Sequence, residues 1–182
     1  MTTLPDKVML AHGGGGEQSR KLVREIFASR FSNPALDAMG DSAIVEIPRS
    51  LLAFTTDAYV VKPLFFPGGD IGKLAVCGTV NDLAVAGARP VYLSAAFIIE
   101  EGTGIPLLES VAESMAEAAR EAGVSIVAGD TKVVEGKGDG GIFITTSGIG
   151  ALFTPRPMSA ARIEPGDAVL INGPIADHGM AI

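Results

Sequence analysis

The 182 residues predict an α+β domain built on a mixed β-sheet with helices on one face. Three observations carry that prediction. Short runs rich in apolar, β-branched and aromatic residues recur at 51–56 (LLAFTT), 91–99, 124–128 and 142–149, each of strand length. Between the second and third of these lies a stretch with apolar residues at helical spacing, so two strands are joined through a helix. Connections of hairpin length join others.

The elements follow in order. HGGGGE at 12–17 is a glycine run ahead of a helical pattern in which Leu22, Val23, Ile26, Phe27 and Phe31 are apolar and Arg20, Lys21, Arg24 and Glu25 are wet. Residues 43–47 and 51–56 read as two strands joined by Pro48, Arg49 and Ser50, a hairpin by length. PLFFPGGD at 63–70 is a turn-rich loop whose Phe65–Phe66 pair reads as core or interface packing. Residues 71–88, IGKLAVCGTVNDLAVAGA, read as a mostly buried helix in which Lys73 and Asp82 are the only charges. Pro106 opens an amphipathic helix with Leu108, Val111, Ala112, Met115 and Ala119 on its apolar face, and Gly123 ends it. A glycine-rich turn at 135–141 separates the last two strands. GDAVLIN at 166–172 reads as a further strand, and Asp177 as the N-cap of a helix that runs about one turn. So short a helix is not a stable end to a chain. The expectation is a fragment: a first domain over 1–153, a linker over 154–165, and the start of a second domain over 166–182.

Composition narrows the classes. With 47% hydrophobic residues a sizeable core can form. No apolar run nears the roughly 20 residues of a membrane helix, and the first residues carry no signal-peptide core. A single cysteine, Cys77, rules out an internal disulfide and suits a reducing cytoplasm. The net charge of −7, without a basic block, argues against electrostatic binding of nucleic acid. A polyphosphate ligand would need a divalent cation to offset the repulsion.

Asp82 is the residue most in need of explanation, because burying an unpaired carboxylate costs several kcal/mol, by rough estimate. Asp57 and Asp130 close the apolar runs LLAFTTD and VSIVAGD. Acidic residues at strand ends facing an acidic helix residue suggest a magnesium site, since Mg²⁺ takes carboxylate oxygens and shares them with phosphates. Gly13, Gly14, Gly15 and Gly16 before a helix could cradle phosphate through backbone N–H groups, although no Walker Gly-Lys-Ser/Thr follows. Lys132, two residues beyond Asp130, could reach a phosphate as a point charge. Against these stand ordinary readings: His12 as a surface histidine, Lys73 as a solvated side chain, Cys77 as a small core residue.

The segments LAHGGGGE, FTTDAYVVKPLFFPGGDIGKLAVCGTVNDLAVAGARPVYLSAAFIIEEG and VSIVAGDTKVVEGK resemble the HypE family of hydrogenase maturation proteins, in the AIR synthetase-like (PurM-like) superfamily. The resemblance implies a PurM N-terminal-like domain whose sheets pair into a barrel across a homodimer, with ATP and Mg²⁺ in a cleft beside that interface. It implies that Asp57, Asp82 and Asp130 hold metal and phosphate, with Asp41 a fourth candidate, and that Asn81, Lys132 and the loop from Gly13 to Gly16 contact nucleotide. The implied activity is a carbamoyl dehydratase: ATP-dependent conversion of a thiocarboxamide on the protein's own C-terminal cysteine to a thiocyanate, the source of cyanide for [NiFe]-hydrogenase. The implied partners are a HypF-like carbamoyltransferase and HypC- and HypD-like maturation proteins. No C-terminal cysteine is present here, so the chain alone is expected to be inactive in that reaction. Alternatives are another enzyme of the superfamily, of the selenophosphate synthetase or thiamine-phosphate kinase type, and a non-catalytic dimerisation and docking module.

Overall fold

The computed structural model describes residues 4–13, 16–33, 37, 51–136, 141–153, 158, 162–171 and 173–175. A turn of 3₁₀ helix (Leu10–Gly13) precedes a helical run in three parts: α1 (Glu17–Leu22), a π-helical segment (Val23–Ala28) and α2 (Ser29–Phe31). Then come β1 (Leu52–Tyr59), a two-residue ribbon of β2 (Phe65–Phe66) and β3 (Gly69–Asp70), α3 (Ile71–Val85), β4 (Ala88–Glu100), α4 (Ile105–Ala122), β5 (Ser125–Val134) and β6 (Ile142–Leu152). Among the described residues four strands form one mixed sheet in the order β1-β6-β4-β5. β6 runs antiparallel to both neighbours, whereas β4 and β5 are parallel, as a strand–helix–strand crossover through α4 requires.

Strand alternation sorts the sheet into two faces. On one, Leu93, Ala95, Phe97 and Ile99 of β4 and Ile142 and Ile144 of β6 are buried beneath the helices. Leu22, Ile26 and Phe27 from the N-terminal helical run, Ile71, Ala75 and Val76 of α3, and Leu108, Val111, Ala112 and Met115 of α4 complete this core. The Phe27 and Phe97 rings lie 4.6 Å apart at its centre. On the other face, which carries Asp130 and Lys132 as well as apolar and hydroxylic residues, Phe54 is 70% exposed.

Local signals explain the element ends. Asp70 caps α3, its Oδ1 accepting the N–H groups of Gly72 (2.7 Å) and Lys73 (3.3 Å). α4 begins with Pro106 in its first turn and ends at Gly123, whose φ of 68° is the left-handed cap glycine favours. Among the described residues no helix is long and apolar enough to cross a membrane.

Several expectations need correction. β1 runs to Tyr59 and β5 to Val134, so Asp57 and Asp130 sit inside strands instead of at their ends. α3 forms as expected, yet Asn81 and Asp82 are exposed on it: its core side is the face of Ile71, Ala75, Val76, Thr79 and Leu83. His12 is not a surface residue; it is 2% exposed and its Nδ1 accepts the Met9 N–H at 2.9 Å. Residues 166–171 form no strand, because no described strand lies beside them to pair with; Val169 and Leu170 are 92% and 90% exposed. Asp41, Gly14, Gly15, the expected strand at 43–47 and the expected helix after Asp177 lie outside the described residues.

Candidate functional site

β1 places Thr55, Asp57 and Tyr59 on its helix-covered side, in register with Gly148, Thr146 and Ile144 of β6. α3 packs along that side of β1, so the two elements meet in a polar seam. Thr55 Oγ1 donates to Oδ2 of Asp82 at 2.9 Å. Tyr59 Oη donates to Oδ2 of Asp57 at 3.1 Å and is 3.2 Å from Thr79 Oγ1. Behind it the hydroxyls of Thr79 and Thr146 are hydrogen-bonded to one another, and Thr146 Oγ1 donates to the Ala75 carbonyl at 3.2 Å. The Tyr59 side chain fits because residue 78 is glycine: a Cβ there would lie 2.3 Å from the Tyr59 hydroxyl.

Two carboxylates are therefore each held through one oxygen by a β1 hydroxyl. Neither Asp57 nor Asp82 receives a second side-chain or backbone donor among the described residues. Thr55 and Asp57 are two residues apart, about 7 Å along the strand. Carboxylate oxygens are the donor type Mg²⁺ takes, one or two at a time, with water and phosphate completing its shell. Burial raises the Tyr59 hydroxyl above its ordinary pKa; its hydrogen bond to Thr79 works against this shift and the neighbouring Asp57 carboxylate adds to it.

Asp130 does not join this pair within one chain. It pairs across the sheet with Ala96, Thr145 and, through β6, Ala58, so its side chain is on the face opposite that of Asp57. Three strand spacings separate β5 from β1, about 14 Å. Among the described residues no group of three or more His, Cys, Asp or Glu could hold a metal. The expected three-aspartate convergence is thus split. Asp57 and Asp82, with Asn81 exposed beside Asp82, lie at the β1–α3 seam; Asp130 and Lys132 lie on the open face at the β5 edge. The turn that ends at Gly13 packs against β5, so the start of the glycine run belongs to the second group. Cys77 is half-buried within α3. Sequence reasoning passed over Thr55, Tyr59, Thr79 and Thr146. The alternation T-x-D-x-Y in β1 was the available signal, since period two puts all three side chains on one face.

A separate cleft of about 610 Å³ lies between the start of α3 and α4, lined by Arg30, Phe65, Asp70, Lys73, Glu109 and Glu113 among others. It contains none of the candidate residues. Arg30 reaches across it to Glu109 (3.6 Å) and Glu113 (3.5 Å), fastening the N-terminal helical run to α4.

Comparison with known proteins gives this geometry a context. The chain is 53% identical over 185 residues to the carbamoyl dehydratase HypE of Rhodobacter capsulatus, covering 100% of this chain and 54% of that protein. The fold superposes on a crystal structure of the hydrogenase maturation protein HypE in complex with ATP with a TM-score of 0.91, at 50% identity over 95% of this chain and 51% of the other. A crystal structure of a HypE–HypF complex matches 73% of this chain and 43% of that one, with 58% identity and a TM-score of 0.56. The chain thus spans about half the length of these relatives. The family profile for the N-terminal domain of AIR synthase related proteins matches residues 39–152, from ahead of β1 to the last residue of β6, and the chain belongs to that family.

Proposed function

We propose that this chain is the nucleotide- and magnesium-binding part of a carbamoyl dehydratase of the HypE type, acting in [NiFe]-hydrogenase maturation. The observation that carries the reading is the close superposition, over 95% of the chain, on a HypE that binds ATP. The hydroxyl-held carboxylate pair at the β1–α3 seam supports it independently.

In this reading Asp57 and Asp82 bind Mg²⁺ through their free oxygens, and Asn81 contacts nucleotide from the same turn of α3. ATP, when bound, would supply a phosphoryl group to the thiocarboxamide oxygen, which would leave as phosphate with ADP as the other product while the nitrogen gives up both its protons, giving the thiocyanate. The protein's part is to bind, orient and neutralise: carboxylates hold the cation, and the glycine run and Lys132 meet phosphate with N–H groups and a positive charge. Cys77, half-buried in α3, is not the acceptor; that role belongs to a C-terminal cysteine.

The split between the two groups of residues is resolved by a second copy. The open face carries Leu52, Phe54 and Ile98 at 48%, 70% and 43% exposure. Two such faces closing into a shared barrel would cover them and bring the β5 edge of one copy, with Asp130 and Lys132, toward the β1 edge of the other. The proposed partners are therefore a second copy of this chain and a HypF-like carbamoyltransferase, with HypC- and HypD-like proteins further along the same maturation path.

Calorimetry with Mg-ATP tests the site. Asp82→Asn is expected to weaken binding at least tenfold, about 1.4 kcal/mol. Equal affinity in the variant would remove Asp82 from the cation site.

A further inference from the structure

Tyr59 is half-buried on the helix-covered side of β1, and its polar end is more constrained than packing alone requires. Its phenol oxygen touches two groups of different kinds, the Asp57 carboxylate and the Thr79 hydroxyl. Thr79 can donate as well as accept, so it can give its own proton to the Tyr59 oxygen. The Tyr59 proton is offered to a charged acceptor at 3.1 Å and a neutral one at 3.2 Å. Hydrogen bonds to an ionised acceptor are roughly twice as strong, so the carboxylate takes it. The absence of a Cβ at Gly78 keeps the ring seated in that position.

We propose that Tyr59 is a positioning residue: anchored by Thr79 and seated over Gly78, its hydroxyl holds Oδ2 of Asp57 so that Oδ1 is presented to the cation. This rests on the reading of Asp57 as a Mg²⁺ ligand. Outer partners of this kind fix the orientation of a ligating carboxylate, and their loss lowers metal affinity without removing the ligand. A tyrosine that served only to fill the seam would have no such effect when its hydroxyl alone is removed.

The test titrates Mg²⁺ into the 182-residue chain at constant ATP, comparing the unaltered chain with Tyr59→Phe, Gly78→Ala and Asp57→Asn. Tyr59→Phe is expected to raise the Mg²⁺ half-saturation about tenfold with the melting temperature unchanged. Gly78→Ala keeps the hydroxyl but displaces it, and is expected to give the same rise. A spectroscopic signature is open as well. The chain has no tryptophan and two tyrosines, so in a Tyr92→Phe chain all tyrosine emission comes from Tyr59. That emission is expected to change with Mg²⁺ at the midpoint of binding. If Asp57→Asn binds Mg²⁺ as well as the unaltered chain, the metal reading fails and this inference falls with it. If Asp57→Asn is impaired while Tyr59→Phe is not, the metal reading stands and the role of Tyr59 alone is overturned. A loss in Tyr59→Phe that only follows a lowered melting temperature would equally make the residue structural.

Discussion

Asp70 shows how much one carboxylate can organise. Its Oδ1 satisfies two of the N–H groups that a helix start leaves without partners, and its Oδ2 accepts the Ser114 hydroxyl of α4. It is itself buried, and so is the Gly72 N–H it satisfies, so removing it leaves that donor unpaired. Asp70→Ala is expected to cost about 2–3 kcal/mol, the cap contribution plus one unsatisfied buried donor. Urea unfolding measures it, and a loss below about 0.5 kcal/mol would mean that solvent or a neighbour takes over the cap. At this scale the sequence was only partly legible. Asp82 drew attention as a carboxylate in an apolar stretch, and it does lie in the candidate site. The reason was different from the one expected, since it is exposed and steadied by Thr55 instead of buried and in need of a counter-charge.

The two long helices meet at a point where only glycine fits. A Cβ on Gly72 would lie 2.4 Å from the Val111 carbonyl oxygen, which is backbone and cannot swing away. Gly72→Ala therefore forces α3 off α4. It is expected to destabilise by about 1–3 kcal/mol, as overpacking does, despite the better helix propensity of alanine. A thermal melt at or above that of the unaltered chain would show that the helices can part without cost. α4 was readable from one strand of text because its period, its proline and its terminal glycine all agree. β1 was read too short: Asp57 looks like a strand end, but pairing with β6 carries the strand on to Tyr59. That partner is invisible locally, because Leu52 pairs with Ala151 and the intervening chain holds every other sheet strand. For the same reason the opposite facing of Asp57 and Asp130 could not be read from their spacing in sequence.

At the scale of the whole molecule, one sheet face is packed and the other carries Phe54, Leu52 and Ile98 into solvent. A second copy laid on this face, as proposed above, would cover them. In solution the chain is expected to sediment as a dimer of twice 18.6 kDa, and Phe54→Glu is expected to shift it to the monomer. A folded monomer at micromolar concentration would count against the shared barrel. The family was legible from long contiguous motifs, whereas the division of the candidate residues between two edges of the sheet was not. β6 adds a last point. It contributes no candidate ligand, yet it is the strand that joins β1 to β4. Asp57, Asp82, Asp130 and Lys132 all lie upstream of Ile142. The span that holds every one of them is therefore not an autonomous folding unit. Cut off before residue 142, it would keep each ligand in the sequence and lose the strand that holds β1, Asp57 and the Thr146 end of the hydroxyl chain in place. The smallest portion able to carry the site has to run through Leu152, the residue at which the family match also stops.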